Sequence, residues 1–223
     1  MSLTVPSAAT GVCQVLAPLV AGYARHDPPR TITIVGNAPL DVSPERVALI
    51  EASDLVVRMT SLALDAPGAE PRGGRRTDVV LLHRGTVAGP GTFADALSRL
   101  YLLVEPGRLH WEREDRPEWW PGGVDAVSVP NAAFTTPLID MLGLSTTEAV
   151  WPTTGTLGIH LLTELFPAAR TRLVGTTLLD EPEQTRFDHH WGDAVLVTPE
   201  HRLRAESLLL SRWRDEGRIE VGP

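Results

Sequence analysis

Two kinds of segment alternate along this chain: short apolar runs rich in Val, Ile and Leu that stop at Gly, Asn, Arg or His, and longer amphipathic runs that open on Ser, Thr or Pro. The first clear run, Thr31-Ile-Thr-Ile-Val35, stops at Gly36-Asn37. It predicts a buried strand that delivers the chain to a tight turn at the carboxyl edge of a sheet. Ser43-Pro44-Glu45-Arg46 places a capping hydroxyl before a proline at the first helical position, so a helix is expected from there to about Ala52. Further strands are expected over Asp54–Met59, Thr77–Leu82, Tyr101–Val104, Thr171–Val174 and Ala194–Val197. Further helices are expected over Gly91–Leu100, Thr136–Leu142, the stretch that follows Pro152, and Thr198 to about Arg214. Alternation of this kind predicts a single α/β domain.

The remaining segments fit around that frame. Ala8 to Ala24 is apolar, but it lacks a basic leader, is interrupted by Pro18 and falls short of the ~18 clean apolar residues of a membrane span, so it is expected to be a packing helix. Arg25 to Arg30 reads as a polar linker, and Asp65 to Arg76, rich in Pro, Gly and Arg, as an exposed loop. Glu105 to Gly123 carries Trp111, Trp119 and Trp120 among charges, Pro and Gly. These tryptophans either pack a surface loop on the body or form a lid or acceptor platform.

Composition removes several classes of function. With 223 residues, 43% of them hydrophobic, the chain can bury one sizeable core, and a net charge of -8 disfavours nucleic acid and anionic lipid as partners. Its 20 basic residues are all arginine, which excludes a lysine Schiff base and a Walker-type phosphate loop. No G-x-G-x-x-G is present, so a dinucleotide site is not expected. Cys13 is the single cysteine, which rules out an intrachain disulfide and a Cys-rich zinc site and suits a cytoplasmic protein. No Asp-x-Asp or Cys/His set has metal spacing, and although Asp188-His189-His190 superficially looks like ligands, adjacent residues rarely point at one ion, so no metal is expected.

Three places carry candidate chemistry. At Gly36-Asn37 the glycine would admit a ligand close to the backbone, and the Asn37 amide offers a donor pair and an acceptor; the alternative is a turn in which Asn37 only satisfies local backbone. Pro152-Thr153-Thr154-Gly155 stands at the mouth of a helix, where free amides, hydroxyls and the positive dipole end converge into an anion site. His160, on an apolar stretch of that helix, is expected to be a packed core residue. His201 lies near a helix start, where the dipole favours the neutral imidazole of a base, or else it is a surface cap.

Taken in order, Ile34-Val-Gly-Asn37 with Asp54-Leu-Val-Val-Arg-Met59, then Pro152-Thr-Thr-Gly155, then His190-Trp191, then His201-x4-Glu206 resemble the four motifs of the sialyltransferase family shared by its animal members, here as a compact bacterial-type relative. The resemblance implies a single Rossmann-like domain over residues 1–223, a variant of the GT-A-like fold with a mostly parallel sheet flanked by helices and with residues 1–30 packed on it as helix and linker. It implies inverting, metal-independent transfer of a sugar from a CMP-activated donor to a small-molecule or glycan acceptor, with no cofactor. By position, Gly36, Asn37 and Thr60 would meet the nucleotide, and Thr153, Thr154 and Gly155 would hold its CMP portion. His190 would stabilise the leaving phosphate, and His201 would be the general base. Glu206, five residues past His201 and about 140° around a helix, would anchor the helix or a nearby loop. The family pattern departs at Met59-Thr60, where Met-Asn is usual, and the family's disulfide cannot form with Cys13 alone. Two other readings share the pocket: an enzyme that cleaves or modifies CMP or a related nucleotide, and a non-catalytic nucleotide-binding protein.

Overall fold

The computed structural model describes residues 8–83, 85–86, 88–89, 91–105, 107, 120–124, 126–145 and 147–223. Arg84, Trp111 and Trp119, and with them the lid or platform expected in the tryptophan-rich loop, lie outside the described residues. In chain order the elements are α1 (Ala8–Ala21), β1 (Thr31–Val35), α2 (Pro44–Ala52), β2 (Leu55–Met59), β3 (Val79–Leu82), β4 (Leu100–Leu103), β5 (Val127–Ser128), α3 (Thr135–Met141), α4 (Thr154–Leu165), β6 (Arg170–Val174), β7 (Arg186–Asp188), β8 (Ala194–Leu196), α5 (Leu203–Asp215) and β9 (Ile219–Val221).

Strands β2, β3 and β4 are buried at every position, which is why their sequences, apart from Arg58 in β2, read as continuous apolar runs rather than alternating ones. They sit in a seven-stranded sheet of order β5-β4-β3-β2-β1-β6-β9, and each neighbouring pair is parallel. The chain steps outward from β1 to β5 and then returns to lay β6 on the other side of β1. The switch point between β1 and β6 is therefore where an open α/β sheet leaves a crevice at its carboxyl edge. On one face, Ile32, Ile34, Val57 and Leu81 meet Leu16 of α1, Leu138 of α3, Leu161 of α4 and Trp213 of α5 in the main core. The other face is covered by Ile50 of α2 against Val35, Val56 and Val174, and by an aromatic group in which Trp120 meets Phe93 and Tyr101 edge to face. Trp120 thus packs, with its Nε1 donating to the Val124 carbonyl. Its side chain serves the body of the fold.

The capping signals are confirmed at α2, where the Ser43 hydroxyl accepts from the Arg46 amide and Pro44 opens the helix. Tertiary contacts override local pattern elsewhere. Gly91–Leu100 is not an α-helix but a series of turns with one 3₁₀ turn, held by Arg99 donating to the Gly91 carbonyl and Tyr101 to that of Thr92. Residues 194–197 do not join the sheet: β8 pairs antiparallel with β7 in a separate hairpin. Helix α5 begins at Leu203 rather than Thr198, because Thr198–His201 folds into a turn in which the His201 amide bonds the Thr198 carbonyl. The edge strands β5 and β9 were too short to show in the sequence. The 65–76 loop is more buried than its composition suggests. Asp65 accepts from the amides of Arg72, Gly73 and Gly74, and the fully buried Arg58 donates to the carbonyls of Gly73 and Arg76. Burial lowers the Arg58 pKa to about 10, so it stays charged at neutral pH.

Gly36 is required by the close approach of the chain leaving β1 to the chain leaving its parallel neighbour β6. A Cβ there would stand 2.2 Å from the Gly175 carbonyl oxygen, while the Ala38 amide already bonds that oxygen at 3.0 Å. Gly36→Ala should therefore destabilise the protein by about 2 kcal/mol or more, read as a lowered urea midpoint, because a backbone must shift to admit one methyl. An unchanged midpoint would mean that the two strand ends part easily.

Candidate functional site

The switch-point crevice opens into a cavity of about 870 Å³. The ends of β1 and β6 supply Gly36, Asn37 and Gly175, the ends of β2 and β3 supply Thr60 and His83, and the mouth of α4 supplies Thr153, Thr154 and Gly155. Trp151 and His201 close one side, and the β7–β8 hairpin contributes His189, Asp193, Val195 and Leu196. The sequence-predicted positions therefore converge on one place, with one exception: His190 does not line the cavity.

Local chemistry distributes their hydrogen-bonding capacity. Asn37 spends its amide on the Met59 carbonyl at 3.1 Å, the Thr60 hydroxyl oxygen at 2.9 Å and the Ser61 carbonyl at 2.8 Å. It ties β1 to the turn after β2, and only its Oδ1 is left for a ligand among the described residues. That turn needs tying, since Thr60 has φ 58, a left-handed conformation costly for a β-branched residue. Asn tolerates this region far better, so the Thr60 that breaks the sialyltransferase Met-Asn pattern also carries backbone strain. Gly36 faces the Gly175 backbone, so the close approach it permits is between strands.

Thr153 is the N-cap of α4: its hydroxyl accepts from the Thr156 amide. Both threonine hydroxyls donate to Glu206, as does the Thr153 amide, at 3.1 and 3.2 Å to the two carboxyl oxygens. Glu206 thus anchors α5 to the start of α4, the role expected of it, and Thr153 is consumed in that anchor. The Thr154 and Gly155 amides are first-turn donors with no partner among the described residues, so they and the Thr154 hydroxyl are what the helix mouth offers an anion. Burial pushes the Glu206 carboxyl above its ordinary range, against the Thr153 and Thr156 hydrogen bonds and the charge of His201, which lower it.

The histidines divide clearly. His201 Nδ1 lies 3.2 Å from the Trp151 carbonyl, and since a carbonyl only accepts, Nδ1 carries a proton there, which in the neutral imidazole leaves Nε2 as the acceptor. The Trp151 amide in turn bonds the Glu200 carbonyl, which locks the His201 turn to the strand-like segment before α4. His83 lines the same cavity, and burial, followed by the charge of His201, holds its pKa below the ordinary imidazole value. His189 Nδ1 is 2.5 Å from an Asp193 carboxylate oxygen and its ring lies 4.4 Å from that of Trp191. Hydrogen bonds from Trp191 and then His189 keep the Asp193 carboxyl below the usual range. His190 turns away: its Nε2 is 3.3 Å from the Ala63 carbonyl, its amide bonds the Asn37 carbonyl, and burial above all lowers its pKa. His160 is a packing residue as expected, stacked on Trp213 and edge-on to Phe134. Among the described residues, no three His, Cys, Asp or Glu side chains form a group that could hold a metal ion. Nor is any described helix long and apolar enough to cross a membrane.

No protein-family model matches the chain, and no curated protein matches it in sequence. Solved structures do match. A mammalian sialyltransferase is 16% identical with a TM-score of 0.59, over 99% of this chain and 80% of that one. A mammalian sialyltransferase in complex with Gal-beta-1-3GalNAc-ortho-nitrophenol is 17% identical with a TM-score of 0.57, over 99% of this chain and 81% of that one. The chain has a sialyltransferase GT-A-like fold. At such identities the likeness concerns the fold, and the site must be argued from its own residues.

Sequence reasoning passed over His83, Trp151 and the His189–Asp193 pair. His83 could have been found, since it ends β3 at the same carboxyl edge that brings Asn37 and Thr60 together. Choosing between His189 and His190 required the hairpin.

Proposed function

We propose that this protein is a sialyltransferase-like glycosyltransferase that moves a sugar from a CMP-activated donor to an acceptor hydroxyl, with inversion and without a metal. The observation that carries this reading is His201: an imidazole held through Nδ1 by the Trp151 carbonyl, lining the cavity that the α4 mouth enters. The acceptor oxygen attacks the anomeric carbon as the bond from that carbon to the phosphate oxygen breaks, and CMP departs with the electron pair. His201 Nε2 takes the acceptor proton. The Thr154 and Gly155 amides stabilise the charge gathering on the phosphate. His189, oriented by Asp193, takes the phosphate-side role that the sequence motif assigns to His190, because His189 lines the cavity and the His190 ring is tied to Ala63.

Thermal shift with a nucleotide panel, coupled to mass spectrometry of CMP-sugar incubations, tests this. CMP and CDP should stabilise the protein more than AMP, GMP or NAD, and transferred or hydrolysed sugar should appear equally with and without EDTA. Equal stabilisation by purine nucleotides would overturn the donor assignment, and activity that a chelator removes and a divalent cation restores would overturn the metal-free mechanism. His189→Ala should weaken CMP binding about tenfold, the loss of one charge-assisted hydrogen bond, and His190→Ala should not. The reverse ranking would return the phosphate role to His190.

A further inference from the structure

Helices α4 and α5 are fastened to each other at two points that repeat the same spacing on both. At one point Glu206 takes the Thr153 and Thr156 hydroxyls; seven residues beyond Thr153 and Glu206, the His160 ring stacks on Trp213, with centroids 5.9 Å apart and planes at 21°. Seven residues are two helical turns, so the fastenings lie about 10 Å apart. The first sits behind the α4 mouth. The second does not line the cavity: His160 is 1% exposed, and Phe134, the residue before α3, meets it edge to face at 6.5 Å. His160 Nδ1 is buried with no hydrogen-bond partner among the described residues. In the imidazolium both ring nitrogens carry protons, so a charged His160 would bury an N–H that has no acceptor.

We infer that His160 makes the dock of α5 on α4 acid-sensitive: α5 stays seated while this ring is neutral and loosens when it takes a second proton. Burial holds the His160 imidazole below its ordinary 6.5. Glu164, one turn further along α4, acts against burial, and Arg218, in the turn after α5, acts with it. These two also bind one another, with Arg218 Nη2 3.1 Å from a Glu164 carboxylate oxygen. From α5 comes the Trp213 ring and from the start of α3 that of Phe134, neither of which titrates in acid. From α1, Cys13 feels the Glu164 charge, and burial and then that carboxylate raise its thiol, so it too stays neutral. An indole face attracts a cation, but the Arg218 guanidinium carbon already lies 4.8 Å from the centre of the Trp213 ring, and an N–H without an acceptor outweighs what remains. The sign follows: stability is whole above pH 6.5 and drains as the pH falls below it, because the unfolded chain then binds a proton that the folded one excludes. Glu206 stands on the same helix two turns away, so loosening α5 also loosens the anchor behind the α4 mouth. That last link, from dock to donor, rests on the reading of this mouth as the phosphate site.

The test is urea unfolding of the full chain at pH 7 and pH 5, with His160→Phe as a ring that cannot charge and His160→Leu as a smaller side chain. On acidification the wild-type midpoint should fall by about 0.5 M more than that of either variant, the size expected if folding weakens proton binding at one site about tenfold. Subtracting the variants removes what every other group contributes. Hydrogen exchange places the effect: at pH 5 the amides of residues 206–213 should exchange about tenfold faster in the wild type than in His160→Phe, while those of β1 and β2 match. Should neither core variant fold, Glu164→Gln at an exposed position decides, since removal of that carboxylate should enlarge the acid loss. Equal acid loss in wild type and variants, a wild type that gains on His160→Phe in acid, or an acid loss that Glu164→Gln leaves unchanged would overturn the inference. CMP affinity, read in parallel, should weaken from pH 7 to pH 5 more in the wild type than in His160→Phe. The urea and exchange differences without CMP binding at either pH would leave the dock standing and sink the donor reading. CMP binding alongside identical urea and exchange behaviour in wild type and His160→Phe would do the reverse.

Discussion

His201→Ala should lower turnover by about 100-fold or more while leaving CMP affinity within about twofold of wild type, because proton abstraction belongs to the transition state and not to nucleotide binding. The geometry makes this a clean separation. The ring is held through Nδ1 by the Trp151 carbonyl and takes no part in the α4 mouth, so truncation removes a base without disturbing the donors that face the phosphate. His201→Gln should be almost as slow, since an amide keeps polarity and loses basicity. Near-normal turnover in His201→Ala would reduce this residue to a turn-former and favour nucleotide cleavage or simple nucleotide binding as the function.

What could be read from the sequence, and what could not, divides on whether local chemistry or distant packing decides. β1 and β2 were legible because they are buried almost throughout, so their runs are rich in β-branched and apolar residues and end at visible punctuation. The α2 start was legible because a cap and a proline are local devices. The strand count was not, because β5 and β9 are two and three residues long and exist only through their neighbours. Residues 91–100 were misread because bonds from Arg99 and Tyr101 to Gly91 and Thr92, which no local propensity encodes, hold the segment in turns. At the site, the converging positions were legible from their placement at strand ends and a helix mouth, and their division of labour was not. Thr153 looks like a ligand until Glu206, distant in sequence, takes its hydroxyl. Asn37 looks like a nucleotide contact until the strained Thr60 turn takes its amide.

That Glu206 anchor carries the second large expectation. Glu206→Ala should destabilise the protein by about 3–5 kcal/mol in urea unfolding at pH 7, since it strands the Thr153 amide and the Thr153 and Thr156 hydroxyls in a site where Glu206 itself is 0% exposed. Glu206→Gln, which keeps an acceptor oxygen and the side-chain volume, should stay within about 1 kcal/mol of wild type. The pH dependence should separate the two forms of the carboxyl. Burial raises its folded pKa above the ordinary 4.5, so the stability it contributes is complete below that value and is lost as the pH rises through the folded pKa. The wild type should therefore lose ground to Glu206→Gln from about pH 4.5 upward. A wild type that instead gains on Glu206→Gln over that range would show that the hydrogen bonds of Thr153 and Thr156 and the charge of His201 outweigh burial and keep the carboxylate ionised. The α4 mouth would then already hold a full negative charge behind its amides, and CMP affinity in Glu206→Gln should rise rather than hold steady.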